Sequence, residues 1–377
     1  MHAWIHPEQG ILSISVKQGD GLSVPVIYSV ETAIPPHRID QEDASVFAKQ
    51  LFQESFKDID RLLTVFQNGE INSRYFVKNL EWFGTPHSFE EKNEEYIKFA
   101  VQYGKEAVRK ALETIGGGPV EAIFTISTSG IATPSIEARI MNELGLDPHI
   151  KRIPIWGLGC AGGAGGLARA HEYCRAFPSS TVLVLAVELC SLTFQHGDRS
   201  KSNLIGTSLF ADGIGCAVLC GDDSPLLQKR DKPLPRVIST RSTLLRDSLD
   251  VMGWEVRNEG LYVVFSKSIP NLVETWLRPN VEEFLRKEGV GLADIRQFVA
   301  HPGGKKVLDA YEKSLGFPKT MMAPSLAVLQ EYGNMSSATI LYVMKEMLHA
   351  GKEGEHGLAM ALGPGFSSEL LLLKWEG

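Results

Sequence analysis

Residues 156–170 read WGLGCAGGAGGLARA, a single cysteine, Cys160, among six glycines. Ile153 and Ile155 ahead of it predict the end of a strand, and Leu167, Ala168 and Ala170 behind it predict the apolar face of a helix. Cys160 is therefore expected at a strand-to-helix turn. Glycines there let backbone approach backbone or a ligand closely, and a helix start offers unpaired N–H groups and a positive dipole end that favour a thiolate. Two chemistries compete for the stretch. The cysteine can serve as a nucleophile, or Gly157, Gly159 and Gly162 can form the G-x-G-x-x-G fingerprint that cradles a dinucleotide. Glycine density makes the second match unspecific, and Glu188, the first acid ending the next strand, lies beyond the usual ~20 residues.

Outward from this turn the pattern alternates: strand 122–126, helix 135–144, strand 153–155, helix 167–176, strand 181–186. That order predicts a mostly parallel sheet covered on both faces. Upstream, a strand is expected over 24–30, a helix over 40–52, a charged helical region to 66, and a long helix over 91–115 stopped by three consecutive glycines. Residues 210–220 open with a turn and continue as an apolar strand. Pro225, Pro233 and Pro235 amid mixed charge mark 221–235 as a linker, dividing the chain into 1–232 and 233–377. The second part repeats the theme with strand 237–240, helix 271–287, strand 297–300, helices 305–315 and 336–349, and strands 357–362 and 369–375. A duplicated architecture follows. Leu12, Ile14 and Val16 suggest an extra strand or an arm.

A chain of 377 residues with 44% hydrophobic side chains can bury a large interior, and a net charge of -7 leaves no basic footprint for nucleic acid. The five cysteines, at 160, 174, 190, 216 and 220, lack C-x-x-C pairs and fit a reducing cytosol. No run reaches the ~18 apolar residues of a membrane span, and the polar N-terminus carries no signal-like core. H-E-x-x-H and paired Cys/His spacings are absent, so no metal site is expected.

Three residues stand out as a set. A free cysteine usually just packs, but Cys160 sits in a turn whereas Cys174, Cys190, Cys216 and Cys220 fall within helix or strand patterns. His301, in VAHPGGKKVL, follows a strand and precedes a helix, which puts it at the carboxyl end of a sheet, where ligands bind. Asn334, in EYGNMSSATI, taken singly fits a helix N-cap. Together they make chemical sense: an imidazolium lowers the pKa of a cysteine nucleophile, and imidazole and amide N–H groups stabilise an enolate oxygen.

Cys160, the HPGG of 301–304, the YGNMSSA of 332–338 and the GPG of 363–365, in this order, resemble the type III polyketide synthases. These are the chalcone and stilbene synthase relatives of the thiolase-like superfamily, and the resemblance runs from about residue 24 to the end. It implies a thiolase-like five-layered α-β-α-β-α fold built from two similar halves, a homodimer, and a buried site between the halves reached by a coenzyme A tunnel. Cys160 would take the starter acyl group as a thioester. His301 and Asn334 would hold the malonyl-CoA carbonyl, so that loss of CO₂ leaves an enolate between two donors. The carbanion would attack the acyl-cysteine, and after several extensions the chain would cyclise to a pyrone or resorcinol-type ring. Acyl-CoA and malonyl-CoA are the implied substrates, with no further cofactor.

The resemblance also matches the family's gate phenylalanines to Phe210 and Val263, and its pocket positions to Thr128, Ser129, Cys190, Thr193, Trp254 and Ser336. Thr133 stands where plant relatives carry a methionine reaching into the partner's cavity. Of the basic residues for coenzyme A phosphates Arg61 remains, Thr64 and Asn68 replace two others, and Lys305 and Lys306 are candidates to compensate. Val263, and Ala361-Leu362 in place of Gly-Phe before the GPG loop, are similar to bacterial alkylpyrone or alkylresorcinol synthases that accept fatty acyl-CoA. The rivals are a ketoacyl synthase III performing one carrier-protein-dependent condensation, a nicotinamide-dependent oxidoreductase, and a non-catalytic scaffold.

Overall fold

The apolar runs around the cysteine turn become fully buried strands. The computed structural model describes residues 23–229 and 232–377, so the N-terminal alternation at 12–16 lies outside the described residues. The first part of the chain forms β1 (Val26–Ala33), β2 (His37–Asp40), α1 (Gln41–Phe52), α2 (Ile59–Asn68), β3 (Ser73–Phe76), α3 (Leu80–Phe83), α4 (Phe89–Thr114), β4 (Ala122–Ile126), α5 (Ile136–Leu144), β5 (Lys151–Ile155), α6 (Gly162–Ala176), β6 (Thr181–Leu189), α7 (Lys201–Leu209) and β7 (Asp212–Cys220). The second part forms β8 (Leu234–Leu244), β9 (Met252–Arg257), β10 (Gly260–Phe265), α8 (Ile269–Leu272), α9 (Arg278–Lys287), β11 (Ile295–Ala300), α10 (Lys305–Leu315), α11 (Lys319–Tyr332), α12 (Thr339–Met347), β12 (His356–Gly363) and β13 (Ser367–Glu376).

Among the described residues, hydrogen bonds join nine strands in the order β11-β12-β13-β8-β1-β7-β6-β4-β5. β1 and β8 pair only at Val26 opposite Arg236, so two half-sheets meet at that point. Side chains alternate across each half-sheet with the period of two that a pleated strand imposes. Val182, Val184 and Ala186 of β6 face a core shared with α6 and α12, while Leu183, Leu185 and Val187 face one shared with α4 and α5. The other half-sheet mirrors this. Val299 and Ala359 join the α6 and α12 core, and Phe298, Leu358 and Met360 pack under α9 and α10. The result is the expected five-layered α-β-α-β-α fold, with α6 and α12 as the middle layer.

The expectation of a mostly parallel sheet is corrected. β4 pairs in parallel with β5 and β6, and β11 with β12, but β1–β7, β6–β7, β12–β13 and β13–β8 are antiparallel. The short turn after Gly363 makes β12 and β13 a hairpin, a connection that only antiparallel strands accept. α11 was not expected because Pro324 within it reads as a breaker. β9 and β10 lie outside the expected elements: Met252, Trp254 and Val256 alternate along β9, but that strand is half-exposed to exposed, and 261–265 of β10 form an unbroken apolar run with no alternation. Among the described residues no helix is long and apolar enough to cross a membrane.

Candidate active site

Cys160 rides on a 3-10 turn, Gly159–Ala161, that runs straight into α6 at Gly162, five residues earlier than the periodicity predicts. Gly157 and Gly159 adopt φ of 93° and 48°, which make the turn possible. The other glycines admit protein. A Cβ on Gly162 would stand 2.6 Å from Ile126, one on Gly163 2.2 Å from the Ser337 carbonyl oxygen, and one on Gly159 2.7 Å from Pro364. The start of α6 is thus pressed against β4, the 3-10 turn Ser336–Ala338 and the 363–365 loop. This overturns the dinucleotide reading, because the space that a pyrophosphate needs is filled by the chain itself.

The same close packing brings the three separated residues together. Cys160 Sγ lies 4.0 Å from Asn334 Oδ1, and the Ser336 hydroxyl also bonds the thiol. Asn334 caps no helix. Its Oδ1 accepts the Ser336 backbone N–H at 2.8 Å and its Nδ2 donates to the Gly303 carbonyl at 3.0 Å, which fixes the amide's orientation and leaves its second N–H unspent. Gly303 belongs to the turn that follows His301, and a Cβ on it would stand 3.8 Å from His301 Nε2. His301 extends β11, its N–H bonded to the Met360 carbonyl at 2.8 Å. It is 1% exposed, and among the described residues neither ring nitrogen has a partner.

Burial sets the protonation of the site. It pulls the His301 imidazole down to about 3 and pushes the Cys160 thiol up to about 11. The Ser336 and Asn334 hydrogen bonds pull the thiol the other way, while the nearby Glu188 charge raises it further. Although Cys160 keeps some surface, its thiol is enclosed, so the thiolate expected from a helix start is not the favoured form without substrate.

Glu188, at the end of β6, is the buried centre that the sequence did not announce. Its carboxylate accepts hydrogen bonds from the Thr128 N–H at 3.1 Å, the Thr128 hydroxyl at 3.0 Å, the Ser129 hydroxyl at 2.8 Å and the Ser337 hydroxyl. Thr128 and Ser129, expected to line the pocket, therefore spend their hydroxyls on this carboxylate. Glu188 ties β4, β6 and the 336–338 turn into one unit beneath Cys160. Burial raises its pKa, and the Ser337 hydrogen bond foremost among the four opposes that.

Phe210 stands at a gate. Its backbone bridges that of Asn334, and buried Arg74 grips its carbonyl with Nη1 at 2.8 Å. Trp254 on β9 and Phe265 on β10, strands that pair as an antiparallel hairpin, pack their rings 5.7 Å and 5.6 Å from Phe210. Val263 pairs with Trp254 across the strands, and a Cβ on Gly206 would touch both Val263 and Phe210 at 3.4 Å. Behind this gate lies a narrow cavity of about 50 Å³ whose walls include Phe47, Phe76, Phe83, Phe194, Cys190 and Thr193. Of the basic residues expected at a coenzyme A rim, Arg61 pairs with Asp58, Lys305 with Asp309 at 2.6 Å and Glu70 at 3.5 Å, and Lys306 is exposed.

This geometry coincides with sequence kinship over nearly the whole chain. Residues 21–224 match the chalcone and stilbene synthases N-terminal domain, and residues 236–375 match the C-terminal domain. The chain belongs to the chalcone and stilbene synthase family. It is a type III polyketide synthase, hence an acyltransferase-type condensing enzyme. A Bacillus subtilis (strain 168) protein named "Putative chalcone synthase" is 55% identical over 359 residues, covering 93% of this chain and 98% of its own. The "Alpha-pyrone synthesis polyketide synthase-like Pks18" of Mycobacterium tuberculosis (strain ATCC 25618 / H37Rv) is 29% identical over 361 residues, 93% of this chain and 91% of its own. Among solved structures, 1,3,6,8-tetrahydroxynaphthalene synthase from Streptomyces coelicolor A3(2) superposes with a TM-score of 0.85 at 27% identity, covering 93% of this type III synthase and 99% of that chain.

Proposed function

We propose that this type III polyketide synthase condenses a fatty acyl-CoA starter with malonyl-CoA and cyclises the product to a pyrone or resorcinol-type ring. Coenzyme A thioesters are its substrates, and no further cofactor enters. The observation that carries the chemistry is a buried imidazole, held neutral by its burial and without a partner for either nitrogen among the described residues, in one site with an oriented amide and a thiol. The Cys160 sulfur attacks the starter carbonyl and coenzyme A leaves as its thiol, the cysteine proton passing through His301. Malonyl-CoA then binds with its thioester carbonyl facing the His301 and Asn334 N–H groups. As CO₂ departs, the electron pair of the broken C–C bond becomes an enolate held by those two donors. Its carbon attacks the acyl-cysteine, forming a C–C bond and returning the sulfur. Glu188 and its hydroxyl donors keep the floor rigid throughout.

The aromatic lining of the cavity beside Val263 favours an apolar starter, and the printed name of Pks18 agrees with a pyrone product. A homodimer accords with β5, an edge strand of the sheet with half-exposed to exposed residues, followed by Trp156 at 56% exposure. The site would then lie between the halves 1–232 and 233–377 of each protomer. The thiols of Cys160, Cys174, Cys190 and Cys216 accord with a reducing cytoplasm. Mass spectrometry of products from malonyl-CoA and a panel of acyl-CoA starters tests the whole reading. Long-chain pyrones or resorcinols support it, and a single condensation that requires acyl carrier protein refutes it.

Two narrower results follow. Because burial holds His301 near 3, lowering the pH from 8 to 5.5 never reaches its titration, and the imidazole stays a neutral donor. Malonyl-CoA decarboxylation by a Cys160→Ala variant is therefore expected to be flat across that range. A tenfold change between pH 5.5 and 7 would mean that His301 titrates near its ordinary value. Val263→Phe, which closes the gate against Phe210, is expected to lower kcat/KM for long starters by about tenfold relative to short ones, about 1.4 kcal/mol of selective exclusion. Steady-state kinetics with two chain lengths checks it, and an unchanged ratio removes Val263 from the gate.

A further inference from the structure

Lys92, in the second turn of α4, is 5% exposed and belongs to no step above. Its ammonium donates to Gln195 Oε1 at 2.8 Å and to the Phe194 carbonyl at 3.5 Å; among the described residues it forms no ion pair, and the Glu259 carboxylate supports its charge only from a distance. Burying a cation is unfavourable unless it is paired or hydrogen-bonded, and here neutral acceptors carry that role. Here it holds the Gln195 amide with oxygen inward, so that Gln195 Nε2 faces two carbonyls, Thr193 at 3.0 Å and Leu261 at 3.1 Å. Thr193 lines the cavity behind the gate, and Leu261 lies two residues before Val263 on β10. Gly260, with φ of 134°, lets the hairpin backbone rest on this pair: a Cβ there would stand 2.8 Å from Gln195 Nε2 and 3.1 Å from Lys92 Nζ.

We propose that Lys92 and Gln195 are positioning residues that latch the β9–β10 hairpin to the turn carrying Cys190 and Thr193, and thereby set the width of the passage beside Phe210. As a determinant of starter length, the latch rests on the fatty acyl reading above. As a mechanical link, it does not. If Lys92 is lost, the buried Gln195 Oε1 is left without its donor, which favours side-chain arrangements that turn this oxygen toward water and pull Nε2 away from the Thr193 and Leu261 carbonyls.

The main readout is chemical modification of Cys160. The ratio of Cys160 alkylation rates by N-octylmaleimide and N-ethylmaleimide is measured by mass spectrometry of the Cys160 peptide in wild type, Lys92→Met and Gln195→Glu. Gln195→Glu keeps the side-chain volume and gives Lys92 an ion pair, yet has no N–H for the Thr193 and Leu261 carbonyls. Both variants are expected to raise the bulky-to-small ratio at least fivefold while malonyl-CoA decarboxylation stays within twofold of wild type. A smaller rise in both overturns the proposal, as does loss of a cooperative thermal transition in both, since a positioning role leaves the fold intact. Failure of fatty acyl-CoA extension in wild type with an altered maleimide ratio in the variants would refute the starter reading and leave the latch standing.

Discussion

In the Cys160→Ala variant, extension of an acyl-CoA starter is expected to fall on the order of 10³-fold or more, while malonyl-CoA decarboxylation persists within about tenfold of wild type. The separation follows from where the groups stand. The thiol is the only group that forms a bond to the starter, and no neighbouring hydroxyl can replace it: Ser336 is turned to the thiol itself and Ser337 to Glu188. The enolate donors lie outside this step, because Asn334 keeps its orientation from the Ser336 N–H and the Gly303 carbonyl, neither of which depends on sulfur. His301→Ala lowers both activities together. It removes one of two donors to the developing oxyanion, so decarboxylation is expected to fall by roughly 10²–10³-fold. Measuring ¹⁴CO₂ release alongside chain extension resolves the two activities. Extension undiminished in Cys160→Ala removes the nucleophile assignment, and a His301→Ala enzyme impaired only in acyl loading removes the enolate role.

The three residues proposed for catalysis stand out because each sits where glycine or proline breaks a periodic pattern: Cys160 among glycines, His301 before Pro302-Gly303-Gly304, Asn334 after Gly333. Glu188 was not, although its residue type was in view. It is brought to Thr128 and Ser129 across 59 to 60 residues by the parallel pairing of β4 with β6, in which Ile126 stands opposite Ala186. Register of that kind is a property of the assembled sheet and leaves no local signature. Periodicity also misplaced the start of α6, because a run of small residues carries no apolar stripe even where every position is buried. The gate hairpin escaped for the opposite reason. Its strands are half-exposed, and their apolar side chains are used on Phe210 instead of on a core face.

Gly163→Ala, the smallest change available in the opening stretch, is expected to be among the most damaging. Its new methyl would stand 2.2 Å from the Ser337 carbonyl oxygen, a backbone atom that cannot rotate away. The 336–338 turn must retreat by about 1 Å to restore van der Waals contact, at roughly 3 kcal/mol, with a fall of several degrees in Tm. The same turn supplies the Ser336 N–H that orients Asn334 and the Ser337 hydroxyl that bonds Glu188. Activity should therefore suffer beyond stability: decarboxylation by the folded fraction is expected to drop about 10²-fold, as misplaced donors do. Gly165→Ala is the matched control, since its Cβ would meet the movable Leu158 side chain at 3.0 Å and the Glu369 side chain at 3.6 Å, away from that turn. Thermal melts and ¹⁴CO₂ release on both variants decide the point. Should Gly163→Ala melt within about 2 °C of wild type and decarboxylate normally, close packing of α6 on the asparagine turn would not be what aligns the site.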